Sequence, residues 1–158
     1  DPKRLLRLQV RLAWQAGLIG RSADGKPSGW AAQEPLHLHA VGDERVFLVG
    51  DLIDRASPLF GHYPKSGHLA SHLGRIAAQE IAARASGKTT GTLLPESSCF
   101  VSTRMEPLES MRIDTQYRLR GDGLIVQTTK QHFDPNPRGE DEDWAKGMFG
   151  EMLAFGSG

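Results

Sequence analysis

The sequence has few of the residues that define several protein classes. It contains one cysteine, Cys99, so no intrachain disulfide can form and a cysteine-based zinc site is not expected. Its 19 basic and 19 acidic residues give a formal net charge of +0. Because no positive excess is available to attract phosphate backbones, we do not expect nucleic-acid binding.

Long apolar runs are also missing. An uninterrupted apolar window of about 18 residues does not occur, so no membrane-spanning helix is expected, and no signal peptide is recognisable. The chain starts at Asp1-Pro2 without a methionine, from which we expect a processed chain or a piece of a longer protein. The 158 residues, 39% of them hydrophobic, suffice for a domain with an apolar core.

Residue patterns in the first part of the chain predict alternating helices and strands. Apolar residues at helical spacing, period-two alternation and clusters of turn formers mark the elements. In chain order we expect a helix at 5–18, a loop at 20–30, a short strand at 35–41, a turn and a buried strand at 42–50, a loop at 52–64 and an amphipathic helix at 66–85. Gly87 is the predicted C-cap of the last helix.

The second part of the chain predicts an antiparallel strand meander and a helix. The stretches "CFVSTR", "MRIDTQYRL" and "LIVQTTKQHF" alternate and are rich in β-branched residues, and Gly121-Asp122-Gly123 between the last two is a hairpin turn signal. The final stretch "DWAKGMFGEMLAF" is an amphipathic helix pattern expected to cover one face of the meander. Together the two parts predict an α+β fold with a composition boundary between Gly87 and Pro95.

The segment from Val46 to Ala83 holds the strongest functional pattern. Asp51 directly follows the predicted strand, and the carboxyl ends of strands in open α/β sheets are where nucleotide-like ligands bind. Its carboxylate can accept hydrogen bonds from polyol hydroxyls, and Gly50 lets a ligand approach the backbone closely. Ser66 is a predicted N-cap, which leaves free N–H groups and a positive dipole end for electron-rich atoms. A purely structural strand–loop–helix unit is the alternative interpretation.

The stretches "VFLVGDLI" and "YPKSGHLASHLGRIAAQEIAA" resemble the flavin-binding segment of the flavoprotein subunits of flavocytochrome c sulfide dehydrogenases. These are similar to sulfide:quinone reductases, within the glutathione-reductase-like pyridine nucleotide-disulfide oxidoreductases. Upstream, "LAWQAGL" and Gly29-Trp30 resemble the family's segment before this strand. Downstream, "SSCFVSTRM" and the final helix resemble its small C-terminal domain.

The resemblance implies FAD as the cofactor of the full-length parent protein. Gly50 and Asp51 would contact the ribityl-phosphate part, and Lys65, Ser66 and Gly67 would present the helix N-terminus to the pyrimidine edge of the isoalloxazine. Residues 1–90 would form the C-terminal part of the FAD-binding α/β domain, and residues 91–158 the flavocytochrome-type α+β domain.

Two departures from the family pattern change what is expected of this chain. A G-x-G-x-x-G fingerprint is absent, so the cradle for the pyrophosphate is missing and the chain alone is expected to bind FAD weakly. Gly29-Trp30 is followed by Ala31 and Ala32, where the family has a redox-active cysteine. Catalytic residues are therefore left unassigned, and a disulfide relay for sulfide oxidation is not expected.

Other candidate residues have simpler structural interpretations. His68 and His72 are four residues apart on one helix, but no third ligand has a matching spacing, so we expect no metal site. His37 and His39 are expected on an exposed strand face, and Cys99 is expected to be a buried structural thiol. In the last helix, Glu140–Asp143 are expected to give an N-terminal charge bias. Trp144, Met148, Phe149 and Met152 are expected to pack against the meander; the alternative is an interaction face, since the resemblance implies an electron-transfer partner interface in this region.

The sequence thus predicts the C-terminal part of an FAD-dependent oxidoreductase. By the resemblance, a c-type cytochrome or a quinone would accept electrons, the chain could form a homodimer, and the protein would be periplasmic. No c-type haem motif is present in this chain. The alternative is a non-enzymatic interaction module that keeps the fold without binding flavin.

Overall fold

The protein is described from a computed structural model, in which residues 2–21 and 24–154 have a defined structure. Within these ranges the chain forms three α-helices, seven strands and a single-turn 3₁₀ helix at Gly50–Leu52. The helices are α1 (Pro2–Gln15), α2 (Gly67–Ala85) and α3 (Glu140–Ala154). The strands are β1 (Ile19–Arg21), β2 (Pro27–Ala31), β3 (His39–Ala40), β4 (Asp43–Phe47), β5 (Glu96–Met105), β6 (Leu108–Leu119) and β7 (Ile125–Asp134).

The strands form three small antiparallel sheets. β1 pairs with β2, β3 pairs with β4, and the third sheet has the order β5-β6-β7. The fold is therefore α+β with a three-stranded meander followed by a helix, which confirms the predicted fold class. A tight turn joins β6 to β7, in which Gly123 has a φ of 84° and the N–H of Arg120 donates to the carbonyl of Leu124.

The chain divides into two compact units. The first contains Asp1–Pro95 and Tyr117–Gln127, and the second contains Glu96–Gln116 and Thr128–Gly158. The turn end of the β6–β7 hairpin thus groups with the first unit. The division into residues 1–90 and 91–158 stays a prediction about domains.

The first unit has an apolar core to which α2 contributes one face. Leu69, Leu73 and Ala77 recur every four residues and are all buried. Leu38 and Ile53 are also almost completely removed from solvent. Burying a leucine or isoleucine side chain stabilises the fold by about 1.5–3 kcal/mol, so these contacts hold α2 against the preceding loop.

Both ends of α2 are capped by local interactions that the sequence predicts. Ser66 is the N-cap, and its hydroxyl accepts a hydrogen bond from the N–H of Leu69. At the other end the N–H of Lys88 donates to the carbonyl of Ala83 at 2.8 Å, and Gly87 has a φ of 67°. This is the Schellman arrangement, in which a glycine takes the left-handed conformation just after the helix.

The structure corrects two predictions in the first unit. The predicted loop at 20–30 contains part of the β1–β2 hairpin. The predicted strand at 35–41 is mostly a turn, because the Glu34 carboxylate accepts hydrogen bonds from the N–H groups of Leu36 and His37. Leu38 then has a φ of 60°, which breaks the extended conformation before β3.

In the second unit, α3 begins with the four acidic residues, as predicted from the favourable charge at a helix N-terminus. Trp144 contacts Phe100 with ring centroids 5.7 Å apart, and Met148 is half-buried. Phe149 is exposed, so its predicted packing against the meander is wrong. The side chain of Met152 lies outside the described residues. Cys99 is half-buried, which corrects the expectation of a buried thiol.

Candidate functional site

Asp51 lies in a turn that packs against α2. β4 ends at Phe47, and Gly50 has a φ of 75°, which turns the chain out of the extended conformation. A Cβ on Gly50 would come within 3.3 Å of the Ala70 Cβ, so glycine allows both this conformation and the close approach to the helix. Asp51 is therefore separated from the end of β4, which belongs to a two-stranded antiparallel sheet. The sequence pattern had predicted a carboxylate at the edge of an open α/β sheet, so this setting differs from the prediction.

The Asp51 carboxylate is half-buried and accepts no hydrogen bond within the described ranges of the chain. The N-terminal turn of α2 adds donors to the same region. The N–H of Leu69 donates to the Ser66 hydroxyl, and the N–H of Ala70 donates to the Ser66 carbonyl. The N–H of Gly67 precedes the intrahelical hydrogen bonds, so it can donate to a ligand at the positive end of the helix dipole.

Lys65 connects this helix start to the segment that follows Asp51. Its ammonium donates to the carbonyl of Ile53 at 2.7 Å and lies 4.5 Å from the centroid of the Trp30 ring. Partial burial lowers the pKa of Lys65, and the carboxylates of Asp51 and Asp54 oppose this decrease. The predicted residues 50, 51 and 65–67 thus come from two segments that meet through Lys65 and the Gly50 turn.

A second polar cluster, centred on Asp54, was not predicted from the sequence. The Ser28 hydroxyl donates to Asp54 Oδ2 at 2.5 Å, and the N–H of Arg55 donates to Oδ1 at 2.8 Å. His62 Nε2 lies 4.0 Å from Oδ1. A Cβ on Gly20 would overlap with the Asp54 carboxylate, so this position requires glycine while the carboxylate keeps its place.

The Asp54 cluster forms part of the wall of an open cavity of about 740 Å³. The cavity is lined by Gly20, Arg21, Asp24, Ser28, Trp30, Ala32, Gln33, Asp54, Arg55 and His62. The Trp30 and His62 rings are tilted by 59° with centroids 5.9 Å apart. The Gly29-Trp30 pair was the only signal of this cavity in the sequence analysis, since Ser28 and Asp54 are 26 residues apart and share no motif.

Each of the two histidine pairs is a contact between neighbouring imidazole rings. His68 and His72 have ring centroids 4.6 Å apart, and His37 and His39 are stacked at 6.2 Å. Among the residues with a defined structure, no group of three or more His, Cys, Asp or Glu side chains could hold a metal ion. His37 instead lies 3.5 Å from the Glu80 carboxylate, in a turn and not on the expected strand face.

Comparison of the chain with known protein families found no match, and no curated protein matches it. Within residues 2–21 and 24–154, none of the helices has both the length and the apolar character needed to cross a membrane.

Proposed function

We propose that this chain is the C-terminal part of an FAD-dependent oxidoreductase resembling the flavocytochrome c sulfide dehydrogenase flavoproteins. In this proposal the Asp51 carboxylate accepts hydrogen bonds from the ribityl hydroxyls, and the N-terminus of α2 faces the pyrimidine edge of the isoalloxazine. The flavin, when bound, supplies the electron-transfer chemistry. A c-type cytochrome or a quinone as electron acceptor, a homodimer and a periplasmic location belong to the same proposal.

The observation that carries the proposal is the position of the Asp51 carboxylate: it accepts no hydrogen bond among the described residues and lies in a turn that packs against α2. Because no protein donor occupies its oxygens among the described residues, the carboxylate is open to the hydroxyl donors of a ligand. The N–H of Gly67 can donate to the electron-rich oxygen of a ring carbonyl, and the helix dipole stabilises negative charge that develops on the reduced ring. A flavin needs both an acceptor for its ribityl hydroxyls and a donor for its ring carbonyl, and in this proposal the two segments that Lys65 joins supply them.

Riboflavin tests this proposal on the chain itself, because it keeps the ring and the ribityl group but has no phosphate. We expect a titration followed by ¹⁵N–¹H NMR to shift the amide signals of Gly50, Asp51, Ser66 and Gly67. Asp51→Ala should raise the dissociation constant about five- to tenfold, since it removes an acceptor worth roughly 1–1.5 kcal/mol.

Glu44→Ala is the matched control, because it removes an exposed carboxylate from the same unit. It should leave the dissociation constant for riboflavin unchanged. Amide shifts confined to other parts of the chain, or an equal effect of both substitutions, would refute the assignment of Asp51 as a flavin contact.

Exposed apolar side chains in the second unit favour the alternative function, a non-enzymatic interaction module. Met105, Phe133, Phe149 and Leu153 are each more than half exposed. Such side chains are typical of protein contact surfaces when they are contiguous. Sedimentation velocity over a range of concentrations distinguishes the two functions: self-association that Phe133→Ser abolishes, together with no response to riboflavin, would favour the interaction module.

A further inference from the structure

The cavity beside Trp30 is lined by two guanidinium groups, those of Arg21 and Arg55, and by two carboxylates, those of Asp24 and Asp54. Its two carboxylates are already occupied within the protein: Asp24 lies 3.1 Å from the Lys26 ammonium, and Asp54 accepts hydrogen bonds from Ser28 and from the N–H of Arg55. The guanidinium of Arg55 has no partner among the described residues. The donors of the Arg55 guanidinium are therefore available to an oxyanion, in a lining whose arginines and aspartates balance in formal charge.

Arg21 adds a second guanidinium to the same lining. One of its N–H groups donates to the carbonyl of Gly25 at 2.8 Å, which holds the side chain in the β1–β2 hairpin. A guanidinium has five N–H donors, so this bond leaves most of them available. The planar fork of arginine matches carboxylate and phosphate oxygens in a bidentate geometry that lysine does not provide.

Trp30 contributes an aromatic side chain to the same cavity lining. Its indole is half-buried, and its orientation is restrained by the Lys65 ammonium and by the His62 ring. Aromatic rings pair favourably in offset or tilted arrangements, with about 0.5–1.5 kcal/mol beyond the area that they bury. A ligand that uses both the Trp30 ring and the guanidinium groups must carry a ring and an oxyanion together.

We propose that this cavity binds a small aromatic oxyanion, an aryl carboxylate or an aryl phosphate. Its ring packs against Trp30, and its oxygens accept hydrogen bonds from the guanidinium groups of Arg55 and Arg21. The partly buried Asp54–Ser28 pair keeps the cavity wall in place, since the Asp54 carboxylate is held against Gly20. This site does not depend on flavin binding, and its residues differ from those assigned to the flavin.

The test is an NMR titration of the chain with 2-naphthoate and with 2-naphthyl phosphate. The chain has three tryptophans, and Trp30→Phe identifies the indole N–H signal of Trp30. We expect either oxyanion to shift this signal together with the amides of Ser28 and Arg55. Two analogues separate the requirements: 2-naphthamide has the ring without the charge, and cyclohexanecarboxylate has the charge without the aromatic ring. Each should bind at least about tenfold more weakly, since each loses one of the two interactions.

Substitutions at Arg55 test the guanidinium. Arg55→Ala should raise the dissociation constant about tenfold, and Arg55→Lys should have an intermediate effect because it keeps the charge and loses the fork. Arg118→Ala is the matched control, as it removes an exposed arginine of the first unit that does not line the cavity, and it should change the constant less than twofold.

The variants are first compared with the parent by the dispersion of their amide spectra, so that loss of structure is separated from loss of binding. If the relative strength of the two oxyanions differs, it identifies carboxylate or phosphate as the preferred group. Equal binding of 2-naphthamide, an unchanged affinity in Arg55→Ala, or shifts only outside the cavity would each overturn the proposal. A response to riboflavin without one to the naphthyl oxyanions would overturn this inference and leave the flavin proposal intact.

Discussion

Replacing Gly20 by alanine tests the packing of the Asp54 cluster directly. Gly20 is buried, and its backbone lies outside the left-handed region, so alanine can adopt the conformation itself. The new Cβ would, however, overlap with Asp54 Oδ2 and come within 3.1 Å of the Ser28 hydroxyl oxygen. The Asp54 carboxylate must therefore rotate away, which breaks its hydrogen bond with Ser28 and disturbs the one with the N–H of Arg55.

The expected cost follows from these two bonds. Hydrogen bonds to a charged group contribute about 1.5–3 kcal/mol each, but the displaced carboxylate recovers part of this from water because its side chain is 17% exposed. Loss of glycine entropy in the unfolded chain offsets about 0.4–1 kcal/mol. We therefore expect Gly20→Ala to lower the free energy of unfolding by about 1–2 kcal/mol, measured by urea denaturation with tryptophan fluorescence.

The Asp54→Ala background makes the test specific. Without the carboxylate there is nothing at this point for the new Cβ to displace, so Gly20→Ala should cost less than about 0.5 kcal/mol or stabilise slightly. Gly91→Ala is the control, since its Cβ would meet no atom within 4 Å. An equal cost of Gly20→Ala in both backgrounds would show that the carboxylate is not what excludes a side chain.

The remaining predictions concern the cofactor, the helix start, pH and the second unit. FAD titrated into the chain should bind with a dissociation constant above the micromolar range, because no pyrophosphate cradle is present; fluorescence quenching of the flavin would contradict this if it saturated at sub-micromolar concentration. Ser66→Ala should lower the free energy of unfolding by about 1 kcal/mol through loss of the N-cap, seen as a lower urea midpoint. Hydrogen bonds from Thr90 and Arg84 lower the pKa of the buried Glu80 carboxyl. The stability that Glu80 contributes is therefore fully present above its unfolded pKa of about 4.3 and is lost as the pH falls through the lower folded pKa. In Glu80→Gln, the urea midpoint should depend less on pH in this acidic range. Trp144→Ala should destabilise the second unit by about 1–2 kcal/mol because Trp144 contacts Phe100, whereas Phe149→Ala should cost less than about 0.5 kcal/mol because Phe149 is exposed. Thermal unfolding of the two variants compares these costs.

The elements with local signals were predicted closely. α2 extends over Gly67–Ala85, against a predicted 66–85, because a capping serine, a four-residue apolar spacing and a C-terminal glycine act within a few residues of each other. The meander was also predicted, since alternation and the turn at Gly123 are local properties. The turn at 35–37 was missed because the Glu34 side chain competes for backbone N–H groups in a pattern that looks like alternation.

By itself, the sequence determined the capped helix α2, with Ser66 at its start, and the β6–β7 hairpin, since each depends on neighbours along the chain. The approach of Gly50 and Asp51 to α2 is a tertiary contact. Only the tertiary structure decided which side chains line the cavity. Ala31 and Ile53 form a parallel bridge, and the N–H of Asp54 donates to the carbonyl of Ala31 at 2.9 Å. This contact places the Asp54 carboxylate next to Ser28. It also places the loop that contains Asp54 beside Trp30. Residues so far apart in the chain leave no periodic pattern in the sequence, because their proximity exists only once backbone hydrogen bonds and core packing have closed the intervening chain.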